Sequence, residues 1–193
     1  MTPLTRDDLL SLEAYAKQRV DFRARVLAHK RDRKVRVGEH VTMLFEDRLT
    51  IQYQIQEMLR AEKIFEADGI AEELASYNPL IPDGRNLKCT MLIEYADANV
   101  RKRELLRLRN IEHDVRLVVE GHAPVQGSAD EDLPRSNDEK TAAVHFLRFE
   151  LDAAMAADFK SGKPVAFRIE HPNYRAEAGL SGRQREALAA DLD

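Results

Sequence analysis

Two seven-residue segments constrain this chain most. In HFLRFEL (145–151), Leu147, Phe149 and Leu151 alternate with Arg148 and Glu150. In VAFRIEH (165–171), Val165, Phe167 and Ile169 alternate with Arg168 and Glu170. A period of two sends all the apolar side chains to one face, so each segment belongs in a sheet with one face buried. Antiparallel pairing with Arg148 opposite Glu170 also puts Glu150 opposite Arg168 and both apolar faces on the same side. That register is the expectation, with a short helix between Asp152 and Pro164 that ends at Gly162.

The rest of the chain supplies further strands and several helices. KCTMLIEY (88–95) is nearly all apolar, as a central strand is. DVRLVVEG (114–121) reads as another strand, and ANVRKRELLRLRNIEH between them as a basic amphipathic helix begun by Asp97. APVQGSA (123–129) completes a hairpin, and VTMLF (41–45) is a short strand after a bend at Gly38. TRDDLLSLEAYAKQRV (5–20) reads as a helix capped by Thr5, with Leu9, Leu12, Ala16 and Val20 as its apolar stripe. Helix and strand both remain open for part of 22–46. A helix is expected from Asp47 to Ala67, ending at Gly69, then a Pro-rich loop over 73–87, and a terminal helix over 182–192. The expected class is α+β, a mostly antiparallel sheet with N-terminal helices and a short C-terminal helix packed on it. One domain is expected over 1–193, largely helical over 1–70, sheet-containing over 88–171, and closed by a turn and helix over 172–193.

With 44% hydrophobic and 33% charged residues in 193, a core is within reach and wholesale disorder is excluded. The lone Cys89 rules out an intramolecular disulfide and a cysteine-cluster metal site, and its apolar strand argues for an inert buried thiol. MTPLTRDDLL has no apolar core of signal-peptide length, and no apolar run approaches the ~20 residues that span a bilayer. The expectation is a cytoplasmic protein without a membrane segment. There is no Gly-rich phosphate loop, GxSxG, HExxH or HxH, which disfavours classical nucleotide and hydrolase chemistry.

Polar residues raise the functional question. Projected on a helix, FEDRLTIQYQIQEMLRAE (45–62) has Ile51, Ile55, Met58 and Leu59 as its core stripe, with Glu62 in mid-stripe and Arg48 at the edge. Gln52 and Gln56 flank the stripe, while Gln54 and Glu57 point away from it. Arg48 and Glu62 lie about 21 Å apart along such a helix, so each needs a partner from another element. A ligand pocket built on Arg48, Gln52, Gln56 and Glu62 is one reading, and ordinary inter-element ion pairs are the other. His145 and His171 fall at the same end of the expected hairpin and, with Glu62, would make a two-histidine, one-carboxylate set. Packed, hydrogen-bonded histidines are the default, and no metal is assigned. EHPNYR (170–175) offers a rim of His171, Tyr174 and Arg175. Asn78, Pro79 and Asp83 in SYNPLIPD are candidate partner contacts. So are Arg23, Arg25, Lys30, Arg31 and Arg33, in a basic run that continues through Lys34 and Arg36 and is opposed by Asp32 alone. The run lacks interleaved aromatics, so nucleic acid is not expected.

FEDRLTIQYQIQEMLRAEKI, YNPLIPDGRNLKCTMLIEY, EKTAAVHFLRFEL and IEHPNY, taken in order, resemble the bacterial domain-of-unknown-function family numbered 3501 over nearly the whole chain. The resemblance carries over no catalytic residue. It implies genomic company with rubrerythrin-like and iron–sulfur oxidoreductase proteins. The leading expectation is therefore an accessory partner of a redox or peroxide-handling system, non-catalytic and with no cofactor of its own, since cluster-binding cysteines are lacking. The alternatives are a small-molecule or metal-dependent enzyme with its pocket on the 47–67 helix, and a binder of phosphate-bearing ligands through 23–36. Self-association stays open.

Overall fold

Ser11, rather than Thr5, starts the first long helix. Its Oγ accepts the amide of Ala14, and α1 (Leu12–Arg31) follows. Thr5 caps only a single 3-10 turn, Arg6–Asp8, in a capping box with Asp8. The buried face differs from the expected stripe: Tyr15 and Val26 are buried, whereas Val20 is 78% exposed. The computed structural model describes residues 2–129, 131, 135 and 140–193.

The stretch left open after Phe22 stays helical to Arg31, then forms a hairpin of β1 (Lys34–Val37) and β2 (Val41–Phe45). Gly38 turns it at φ +74°, and a Cβ there would meet the Tyr174 hydroxyl at 2.5 Å. α2 (Arg48–Glu62) stops at Lys63, whose backbone is left-handed, short of the expected end. α3 (Ala67–Tyr77) takes in Gly69 and the first residues of the expected loop. Breaking the helix at Lys63 lets Ile64, Ile70 and Leu74 fold back on Ile51, Ile55 and Leu59, and Leu4 and Ile81 complete this apolar cluster. The loop's Ile81 thus covers a core.

Next come β3 (Asn86–Ile93), α4 (Ala98–Arg107), β4 (Val115–Val119), β5 (Val125–Gln126) and β6 (Ser128–Ala129). β7 (Val144–Glu150), α5 (Ala153–Ser161), β8 (Val165–His171), β9 (Tyr174–Gly179) and α6 (Gly182–Ala189) complete the chain. Asp97 caps α4 by accepting two backbone amides, and Gly162 ends α5 with a left-handed backbone. The chain is α+β, and the strands among the described residues make two antiparallel sheets, ordered β1-β2-β3-β7-β6 and β5-β4-β8-β9.

The expected β7–β8 hairpin does not form. β7 lies between β3 and β6, and β8 between β4 and β9. The two alternating segments face each other across the core instead, with the Phe149 and Phe167 rings 5.3 Å apart and Phe45 4.9 Å from Phe167. The connection through α5 carries the chain from one sheet to the other, and Met155 and Phe159 enter the shared core on the way. Arg168 pairs with Glu177 on β9 at 2.6 Å, not with Glu150. On one side the 125–129 segment joins the sheets, since β5 pairs with β4 and β6 with β7. On the other, the Tyr174 hydroxyl on β9 donates to Val37 O at 2.7 Å and accepts from His40 N at 3.0 Å.

Candidate functional site

The polar flank of α2 is occupied by backbone. Gln56 is fully buried; its Oε1 accepts from Leu10 N at 2.6 Å and its Nε2 donates to Leu10 O at 3.2 Å. Gln52 Nε2 donates to Asp8 O at 2.6 Å, and Arg48 reaches the Asp8 carboxylate at 2.5 Å and Thr2 O at 3.3 Å. Asn78 repeats the device on Leu4, taking its N–H at 2.8 Å and giving to its O at 2.9 Å. These amides do what a neighbouring strand would do for residues 2–10. Glu57, on the far side, accepts from Tyr15 and holds Arg19 in a two-bonded ion pair, and the Arg19 guanidinium foremost lowers its carboxyl to about 2. Glu62 is exposed on the last turn, contrary to its projected inward position.

The histidines are held apart from Glu62. His145, fully buried on β7, has its Nε2 2.7 Å from Thr141 Oγ1, which donates to Glu112 at 3.0 Å. His171 Nε2 donates to Arg109 O at 3.1 Å, and its Nδ1 accepts from Asn173 N at 3.2 Å. Both rings brace the α4–β4 connection, from different sheets. Among the described residues no group of three or more metal-ligating side chains gathers. Tyr174, a candidate for ligand contact, is occupied in closing β9 onto β1.

The basic run divides. Arg33 is 2% exposed and leaves the contact set: it donates to Phe45 O, Glu46 O and Ala187 O at 2.8–3.1 Å and to the Asp191 carboxylate, with Asp47 3.5 Å away. Its acceptors come from β2 and α6, so this guanidinium ties the end of the chain to the start of the sheet. Burial pushes the Asp191 carboxyl up to about 6 despite Arg33. Burial also works against ionised Asp47, but Arg33, the Thr50 amide and His29, at 2.5 Å, prevail and hold its pKa below the usual range. Arg23, Arg25, Lys30 and Arg31 stay on the outside of α1. Among the described residues none of the four has an ion-pair partner; Arg25 lies 4.8 Å from the Phe22 ring centroid and Lys30 5.9 Å from that of Tyr53. Beside them Val20 and Leu27 are 78% and 46% exposed. At 100° per residue Val20, Arg23, Leu27 and Arg31 share one face.

Of the other loop candidates, Asp83 is exposed and caps its own turn by accepting from Arg85 N at 2.9 Å. Pro79 lines a cavity that sequence reasoning missed, formed against the outer face of β3 and β7 with Glu46, Lys88, Phe146 and Arg148. Outward alternation along β7 was visible in the sequence, but that Lys88 stands opposite Arg148 depends on a strand pairing that was not. Cys89 points into the core, and burial raises its thiol well above the usual range.

The family model for proteins of unknown function called DUF3501 matches residues 3–192. No curated protein matches. A solved structure described as a novel protein of unknown function from Burkholderia pseudomallei K96243 is 53% identical over 100% of both chains, with a TM-score of 0.94. Among the described residues no helix is long and apolar enough to cross a membrane.

Proposed function

We propose that this chain, which belongs to the DUF3501 family of proteins of unknown function, is an accessory protein that docks an acidic protein surface through the outer face of α1. The observation that carries the reading is the exposure of Val20 and Leu27 among Arg23, Arg25, Lys30 and Arg31, with no carboxylate of the described chain on any of the four. Cations left unpaired favour a partner of opposite potential, and two exposed aliphatic side chains supply area that such a partner can bury. Phosphate-bearing ligands would use the same cations but would gain nothing from Val20 and Leu27. The partner proposed is the rubrerythrin-like or iron–sulfur oxidoreductase protein that the family's genomic company implies.

The test is titration of purified chain with each purified redox protein at low and high salt. Binding that weakens with salt and falls at least about tenfold in the R23E/R31E variant is the expected result. Absence of binding to every one of them at low salt would remove the redox assignment. Binding unchanged by the double variant would remove the α1 surface.

A further inference from the structure

Against the outer face of the five-stranded sheet lies a cavity of about 970 Å³, a volume suited to a small organic molecule. Its wall is the end of α3 and the turn after it, with Ala75, Tyr77, Pro79 and Leu80. Its floor is β3 and β7, where Lys88 stands directly opposite Arg148, and Phe146 opposite Thr90. Like charges placed opposite each other repel unless something negative intervenes. Arg148 is neutralised: Glu131 takes its Nε at 2.7 Å and its Nη2 at 2.6 Å, and Glu150 takes its Nη1.

Lys88 has no such ion-paired carboxylate among the described residues. Its Nζ donates to Pro79 O at 2.6 Å and Ile81 O at 3.0 Å, and among the described residues no carboxylate lies within ion-pair distance. An ammonium has three N–H groups, so one is left over. Burial, chiefly, holds its pKa below the ordinary lysine range, with Arg148 acting the same way and the more distant carboxylates of Asp83, Glu150 and Glu131 acting against it. The other acid at the rim, Glu46, is already held by the hydroxyls of Thr50 at 2.6 Å and Thr90 at 2.9 Å. Among the described residues Lys88 is thus a cation without a carboxylate, beside an apolar wall and the Phe146 ring, over which Arg135 also lies at 4.5 Å, and that setting is matched by one anionic group on an apolar body.

The geometry points to a binding site for a small organic carboxylate with an apolar or aromatic body, its carboxylate on Lys88 Nζ and its body between Phe146 and the Tyr77–Leu80 wall. The site shares no residue with the α1 surface and stands or falls separately from it. Calorimetric titration of the full chain with 4-phenylbutyrate and with 4-phenylbutylamine, probes of equal length and opposite charge, tests it. The acid binds and the amine does not; K88Q weakens the acid at least about tenfold, K88R retains it within a few-fold, and F146A weakens it as well. No acid binding up to about 10 mM, equal binding of acid and amine, or undiminished acid binding by K88Q would each overturn the assignment. Should K88Q fail to fold, the acid–amine comparison on the unaltered chain decides.

Discussion

At the scale of the residue, Gln56 shows what a buried primary amide does. It carries a donor and an acceptor at nearly the spacing of a peptide group, so it satisfies both polar atoms of Leu10 as a strand would. An apolar replacement leaves that pair without partners in a largely desolvated place. Q56A is expected to lower stability by about 1–3 kcal/mol in urea denaturation and to speed hydrogen exchange at the Leu10 amide. Unchanged exchange there would mean the segment is held by other contacts. That Arg48 would need a partner was legible in its position at the edge of the stripe of Ile51, Ile55 and Leu59, which Gln52 and Gln56 flank. That the partner would be the backbone of residues 2–10 was not, because a helical projection gives a direction and names no neighbour. Glu62 failed for a related reason: the projection assumes a covering layer along the whole helix, and residues 60–63 lie in the open.

At the scale of the element, β7 and β8 illustrate the limit of periodicity. Alternation located both strands and the buried face of each, and α5 appeared between them as expected. Their charges, Arg–Glu on each, also suit a mutual antiparallel register, but they suit other partners equally. Pairing β7 with β3 and β8 with β4 lets the two apolar faces close on each other, where a hairpin would have set them side by side. A double-mutant cycle separates the registers: Arg168 and Glu177 are expected to show a favourable coupling in thermal denaturation, and Arg168 and Glu150 none. The same limit explains α1. The stripe of Leu9, Leu12, Ala16 and Val20 put Val20 inside, whereas the covered side of α1 is that of Tyr15 and Arg19, which meet Glu57 of α2, and Leu9 belongs to the segment before the helix.

At the scale of the molecule, Arg33 joins parts far apart in sequence, reaching Ala187 O and Asp191 from the end of α1. Removing one member of a buried pair leaves the other uncompensated, so R33M is expected to lose roughly 3–5 kcal/mol of stability in denaturant titration. Asp191 adds a pH signature. Its carboxyl is raised to about 6 in the folded chain from an ordinary 3.8, so its contribution is full below about pH 4 and declines as pH rises through about 6. Asp47, shifted the other way, loses its contribution only as pH falls below the ordinary aspartate value and through its lower folded pKa. D191N, which keeps one acceptor oxygen for Arg33 but cannot ionise, is therefore expected to flatten the stability profile between pH 4 and 6 while leaving the acid limb in place; a slope unchanged by D191N would show that burial does not govern this carboxyl. By itself the sequence determined the α+β class, the apolar face of the strands, the caps at Asp97 and Gly162, and the inert setting of Cys89, because each follows from residues close together along the chain. Strand partners, the inward turn of Arg33 and the seating of Lys88 on Pro79 O and Ile81 O were settled only by tertiary structure. A local pattern specifies a face, and a buried charge finds its place through counter-groups that the rest of the chain brings to it.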